Sequence, residues 1–339
     1  MKTFTAEGKP LAELEVSDND MPGVTCGRIV FSDPAGRSQL ITLRVGTVPA
    51  RGVEPARYEV YLTSWNPDDL SQKWETKLTT EPQDGTPAAC ATDRLDATTD
   101  GKWLTVANVG TDFSSFVVAA ESGAAQSVDY YPMPLGHFVG SFIGTNPASL
   151  SNVDDLRVID PADNSVVNVM HGRSTDGGTT ALDAVVNAAS EPNEATWLED
   201  GETVVAYHNF ATHIVNVRTG ALVHSIEFPE EVNGFSADPL VDPVSNHLLI
   251  HYACSGGCSD RLEGYEWGTW RKLWSQSRID NMCTTHSGQV TVAANDQVAI
   301  LDAATGNQIQ FTTELEDCGD VFGNFGYNEK SGKMYRLTN

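Results

Sequence analysis

Basic side chains are scarce: 21 Lys and Arg stand against 46 Asp and Glu in 339 residues, a formal charge of −25 with neutral histidines. Nucleic-acid binding works through Lys and Arg displacing counterions from phosphates, so this balance argues against DNA, RNA and anionic lipid as partners. No apolar run approaches the roughly 20 residues of a bilayer-crossing helix, and no membrane insertion by this segment is expected. The opening Met1-Lys2-Thr3-Phe4-Thr5-Ala6-Glu7-Gly8 lacks the apolar core of a signal peptide. Hydrolase and nucleotide signatures (Gly-x-Ser-x-Gly, His-Glu-x-x-His, Gly-x-x-x-x-Gly-Lys-Ser/Thr) are missing as well. Apolar types at 40% and charged types at 20% exclude a disordered chain and point to a folded body with a full core.

Long helical periodicity is also lacking. What recurs is a short β-branched or aromatic run, a turn rich in Asp, Asn, Gly or Thr-Gly, and a second short run, which is an all-β pattern. Ile214–Ile226 and Val298–Phe311 share a strand, a Thr-Gly turn and a returning strand. Related hairpins turn near residues 8, 68, 122, 163, 219, 268 and 306, and those after the first are preceded by stretches able to supply two more strands. Spacings of about 40 to 60 residues and four strands per unit are those of propeller blades. The expectation is one domain over 1–339, a seven-bladed β-propeller of four-stranded blades. Its last blade, about 318–339, would be completed by N-terminal strands 3–16, which removes the exposed edges of an open array.

Leu301-Asp302-Ala303-Ala304-Thr305-Gly306 resembles the Leu-Asp-x-x-Thr-Gly repeats of pyrroloquinoline-quinone-like (and WD40-like) β-propellers, and Lys73-Trp74 and Leu273-Trp274 resemble the tryptophan that follows such turns. The composition is similar to that of secreted or membrane-anchored actinobacterial propeller proteins. The resemblance implies fold more than activity. Quinone-dependent members use an adjacent Cys-Cys disulfide against the cofactor and a carboxylate-bound calcium; no two cysteines are adjacent here, so no cofactor is expected.

Six cysteines form an even set, which favours three disulfides and an oxidising, extracytoplasmic compartment. Cys254-Ser-Gly-Gly-Cys258 is the sharpest local pair, since two glycines let the chain fold back tightly. Cys26–Cys90 and Cys283–Cys318 follow in chain order, although four cysteines allow three connectivities. Disulfides without a signal peptide would mean a leader or membrane anchor removed ahead of Met1. The rival reading is a zinc site of His247, His251, Cys254 and Cys258, with both histidines on one strand face. Against it, His247-Leu-Leu-Ile-His251 reads as a buried strand.

Among other candidates, His208 and His213 flank a turn, and Asp160, Asp163 and Asp176 superficially suggest calcium loops but read better as turn formers. Trp274, at a position matched by Trp74, is expected to pack between blades. Tyr265 and Trp267, sharing a strand face, are the candidate partner-binding residues. The function expected is a non-catalytic extracytoplasmic binding or assembly module for a protein or carbohydrate. The alternative is a propeller hydrolase or lyase with its site at one mouth of the central channel, where inner-strand His, Asp or Glu side chains with perturbed pKa would converge.

Overall fold

The computed structural model describes residues 2–4, 10–13, 23–82, 94–109, 114–143, 155–171, 181–190, 195–227, 235–242, 245–254, 260–286, 288–295, 297–312, 315, 321–322, 325–328 and 333–336. They fall into two compact units, Met1–Gly172 with Glu199–Glu202, and Arg173–Leu198 with Thr203–Asn339. In the first unit β1 (Lys2–Phe4) pairs with β2 (Pro10–Glu13). Three four-stranded antiparallel sheets follow: β3 (Gly23–Ser32), β4 (Ser38–Val48), β5 (Arg57–Trp65) and β6 (Gln72–Pro82); β7 (Arg94–Ala97), β8 (Trp103–Val109), β9 (Ser114–Ala119) and β10 (Ala125–Val128); and β11 (Met133–Leu135), β12 (Phe138–Ile143), β13 (Asp155–Asp160) and β14 (Ser165–His171).

The second unit opens with helix α1 (Ala181–Ser190) and carries three more such sheets. They are β15 (Ala195–Trp197), β16 (Thr203–His208), β17 (Ala211–Asn216) and β18 (Ala221–Glu227); β19 (Phe235–Asp242), β20 (His247–Cys254), β21 (Arg261–Glu266) and β22 (Lys272–Ser277); and β23 (Asn281–His286), β24 (Gln289–Ala293), β25 (Val298–Asp302) and β26 (Gln308–Thr312). A three-stranded sheet of β27 (Val321–Phe322), β28 (Phe325–Asn328) and β29 (Lys333–Arg336) ends the unit, one strand more than the sequence suggested for this stretch.

The third and fourth strands of all six four-stranded sheets are the hairpins expected from the turns, and the turns show why so loose a motif repeats. In each, the amide of residue i+4 donates to the carbonyl of residue i: Leu70 to Asn66, Gly123 to Ala119, Asn164 to Asp160, Gly220 to Asn216, Trp270 to Glu266 and Gly306 to Asp302. Every i+4 residue has a positive φ, between 55° and 73°. Glycine adopts that conformation freely and asparagine readily, so Gly is frequent here without being required. Where residue i is Asp or Asn, its side chain also holds the turn: Asp302 Oδ1 accepts from the Thr305 amide at 2.8 Å and hydroxyl at 2.9 Å, and Asn216 Oδ1 does the same for Thr219. Asp160 and Asp163 likewise accept from the amides of Ala162 and Ser165, so they are turn formers; Asp176 lies outside the described residues.

Five of these hairpins carry a β-bulge at the same place. The fourth strand skips Lys73, Val167, Val223, Leu273 or Ile309, and the next residue re-pairs: Trp74 with Ser64, Asn168 with Val158, His224 with Ile214, Trp274 with Gly264, Gln310 with Ile300. Each re-pairing residue stands eight positions after the residue that opens its turn. From there the side chain can reach the next sheet. Trp74 Nε1 donates to the Ala120 carbonyl at 2.9 Å and Trp274 Nε1 to that of Ala303 at 3.1 Å, while His224 stacks on Trp270 with centroids 5.4 Å apart. A Cβ on Gly123 would lie 2.6 Å from the Trp74 ring, and one on Gly306 2.6 Å from the Trp274 ring. Trp74 and Trp274 thus pack between sheets as expected.

The sheets bury both faces, which accounts for continuous apolar runs in their second strands. On β20, Leu248 and Ile250 face a core shared with Val205 and Ile214, while Leu249 faces one shared with Val290 and Leu301. A comparable core joins Ile41, Leu43 and Val60 to Leu104, Val106 and Val118 in the first unit. Helix α1 was not foreseen. Leu182, Ala184, Val185, Val186 and Ala188 are buried and, among the described side chains, only Asp183 and Asn187, one turn apart, form a narrow half-buried polar stripe, while the adjacent valines favour a strand reading.

Candidate functional site

The β19–β20 hairpin aligns an Asp-x3-Asp with a His-x3-His. Its register places Asp238 opposite His251 and Asp242 opposite His247, and directly opposed residues share a sheet face. Asp242 is buried, with Oδ2 accepting the Ser245 amide at 2.8 Å. At the other end, Asp238 enters a cavity of about 400 Å³ where the first strands of three consecutive sheets meet: Ala195 and Thr196 from β15, Asp238 and Leu240 from β19, and Asn281 and Met282 from β23, with Cys283 beside them. Pro239 is tolerated there because a first strand is a sheet edge.

His251 stands behind Asp238 and is 2% exposed. Its Nε2 lies 2.8 Å from the Ile279 carbonyl, so Nε2 carries the proton and donates. Nδ1 is buried without a hydrogen-bond partner, 3.7 Å from Asp238 Oδ2. That spacing is too long for a hydrogen bond but close enough for an ion pair with the imidazolium.

Two further networks repeat one sequence, Arg-x-Glu-x-Tyr, on third strands. Glu263, 2% exposed, accepts from the Tyr265 hydroxyl at 2.5 Å, from Lys272 Nζ at 3.2 Å and from Ser275 Oγ at 3.4 Å, and pairs with Arg261 Nε at 3.3 Å. Glu59 is held in the same way by Tyr61, Arg57 and Lys77. The Tyr61 hydrogen bond holds the Glu59 carboxyl below the usual carboxylate range, and the Tyr61 phenol is pushed up to about 12 by the same bond. Burial pushes up Tyr265 and its neighbour Tyr252. Each carboxylate is thus balanced by two cations and a phenol of its own sheet.

In the first unit a cavity of about 430 Å³ is lined by Asp33, Arg37, Gln39, Lys102, Trp103 and Glu121 among others. Asp33 is occupied in fixing the β3–β4 turn: it accepts the Ala35 and Arg37 amides, each at 2.9 Å, and pairs with the Arg37 guanidinium at 2.7 Å. Its carboxyl falls to about 2, chiefly through the Arg37 amide.

Tyr265 is 6% exposed and packs in the core with its hydroxyl bonded to Glu263, so it offers little surface to a partner. Trp267 is half-buried, edge-on to Trp270 with centroids 4.6 Å apart. His208 and His213 do flank the β16–β17 turn; His213 is buried, donating from Nε2 to the His208 carbonyl and accepting from the Ser225 hydroxyl, and burial lowers its pKa. His247 and His251 share a face, but Cys258 and the side chain of Cys254 lie outside the described residues. Cys283 is disulfide-bonded; Cys90, Cys318 and the side chain of Cys26 lie outside the described residues. Sequence reasoning missed the Asp238–His251 pair and the Arg-x-Glu-x-Tyr repeat. Both were written in the chain, the first as two x3 spacings mirrored across the turn before His247.

No protein-family model and no curated protein matches the chain. Among solved structures it is similar to dihydro-heme d1 dehydrogenase NirN in complex with DHE, at 11% identity and a TM-score of 0.52 over 99% of this chain and 72% of that one. It is also similar to the hydrazine synthase of Kuenenia stuttgartiensis (14% identity, TM-score 0.42, 95% of this chain and 97% of that one) and to an oligogalacturonate lyase in complex with manganese (9%, 0.41, 93% and 94%). The likeness is one of fold: six four-stranded antiparallel sheets in consecutive order make this an all-β chain of the β-propeller-like kind.

Proposed function

We infer that the chain is a non-catalytic, extracytoplasmic binding or assembly module whose partner is a protein docking on fourth strands. The observation that carries this reading is the distribution of exposed apolar side chains. In the second unit Leu222 and Val223 on β18 and Ile309 and Phe311 on β26 are 45–57% exposed, all on edge strands; of the other exposed large apolar side chains, Val166 lies on the edge strand β14 and Val30 on the edge strand β3 of the first unit, and Val53 and Phe210 lie in turns. Edge strands offer unpaired amides and carbonyls, and apolar groups beside them suit a protein surface. A charge of −25 favours a basic partner by steering. The disulfide at Cys283 supports an oxidising compartment. On this reading the chain is a single domain over 1–339 of pyrroloquinoline-quinone-like repeats, a seven-bladed propeller closed by residues 3–16 beside 318–339. A glycan partner, or a hydrolase or lyase activity, is the alternative.

Chemical cross-linking in the native cell envelope tests this. A discrete adduct with one protein, lost in a Val223→Asp/Phe311→Asp variant that folds normally, is expected. An unchanged adduct pattern in that variant refutes the docking surface, and turnover of a sugar, peptide or lactone substrate refutes the non-catalytic reading.

A further inference from the structure

We propose that the cavity between β15, β19 and β23 is a proton-gated binding site for an organic ammonium group, with Asp238 as the counter-ion and His251 as the gate. The site goes beyond the docking surface on the fourth strands and stands or falls separately from it.

Among the described residues the cavity is lined by one carboxylate, Asp238, accompanied by the hydroxyl-bearing Thr196, the amide-bearing Asn281 and the apolar Leu240 and Met282. One charge, two neutral polar groups and an apolar wall suit an alkylammonium head with its aliphatic body. A hard divalent cation needs six or more oxygens, several of them charged. A volume of about 400 Å³ is that of small-ligand pockets, and the acidic chain raises the local concentration of cations.

The gate follows from the buried imidazole. With Nε2–H committed to the Ile279 carbonyl, neutral His251 turns a lone pair at Nδ1 toward Asp238 and gives the carboxylate nothing. Protonation at Nδ1 supplies a cation 3.7 Å from Asp238 Oδ2, which neutralises the carboxylate and competes with the ligand's ammonium. Around the imidazole, Asp238 faces it from β19 and the apolar Leu262 from β21. Asp280, next to Ile279, directs Oδ2 to the Asn295 amide. Farther along β20, His247 faces Asp242. Ligand and proton therefore exclude one another at Asp238, and by linkage each weakens the other equally.

Isothermal titration calorimetry with n-butylammonium chloride, and n-butanol as the uncharged control, tests this at about pH 8 and about pH 5.5. The amine itself stays protonated throughout. Expected are binding of the amine but not the alcohol at the higher pH, at least tenfold weakening at the lower, and loss at both in Asp238→Asn. His251→Gln should bind equally at both. Should that variant fail to fold, the wild-type pH ratio and Asp238→Asn decide. No binding at millimolar amine, equal wild-type affinity at the two pH values, or binding that survives Asp238→Asn overturns the proposal.

Discussion

Replacing Gly306 by Ala places a methyl group where the Trp274 ring sits. Two separable costs follow. The backbone at φ +70° is one that an L-side chain occupies at about 1 kcal/mol. The new Cβ also stands 2.6 Å from Trp274 Cδ2, so the indole must shift, at roughly 2 kcal/mol for overpacking. The shift endangers the 3.1 Å hydrogen bond to the Ala303 carbonyl. Gly306→Ala should therefore destabilise the second unit by about 3 kcal/mol. Trp274→Ala alone should cost about 2 to 3 kcal/mol, below the value for a fully buried tryptophan because this one is half-buried. In the Trp274→Ala background the clash is gone, and Gly306→Ala should cost only the backbone part, about 1 kcal/mol. Urea unfolding of the four proteins of this cycle, followed by circular dichroism, gives the coupling, expected near 2 kcal/mol. Equal cost of Gly306→Ala with and without Trp274 would refute the account of the turn as a seat for the indole.

Asp33, held near 2 in the folded chain, stabilises it above the ordinary carboxylate value; that stability fades as pH falls from about 4 toward 2, and Asp33→Asn should flatten this part of a melting-temperature profile. His213 works in the same direction at higher pH. Burial lowers its folded pKa, so its contribution is complete above the unfolded value near 6.5 and is lost on acidification, a dependence that His213→Gln should remove from the thermal profile. Glu263→Ala leaves a buried Tyr265 hydroxyl and two cations without their acceptor, and chemical denaturation should show a loss of about 3 kcal/mol, with Glu263→Gln markedly milder. Non-reducing peptide mapping should find Cys283 in a disulfide; a free thiol there would remove the support for an oxidising compartment.

The hairpins were legible because their signal is local. Asn216-Val-Arg-Thr-Gly220 and Asp302-Ala-Ala-Thr-Gly306 carry the side-chain acceptor and the left-handed residue within five positions. Leu70 and Trp270 adopt the same conformation without glycine, and there the motif faded while the turn survived. The α1 helix escaped because it is ten residues long, with a narrow polar stripe at Asp183 and Asn187, too short a stretch for helical periodicity to stand out. His247-Leu-Leu-Ile-His251 was correctly a buried strand. Its histidines gained meaning only from the register against Asp238 and Asp242, a relation between strands. Tyr265 illustrates the opposite error: alternation placed it with Trp267, but Glu263 and Tyr252 draw its hydroxyl inward.

The recurring bulge bears on how such a chain drifts. In five hairpins the skipped residue is fixed by hydrogen-bond register, and at three of them the position eight after the turn residue meets the next sheet. Trp74, His224 and Trp274 exploit that position with ring contacts, while Asn168 and Gln310 hold the same place in the ladder. The place from which one sheet meets the next is thus set by the main-chain ladder, and the side chain standing there decides how strong the contact is. A ladder that repeats while its side chains vary is compatible with a likeness of fold at 11% identity.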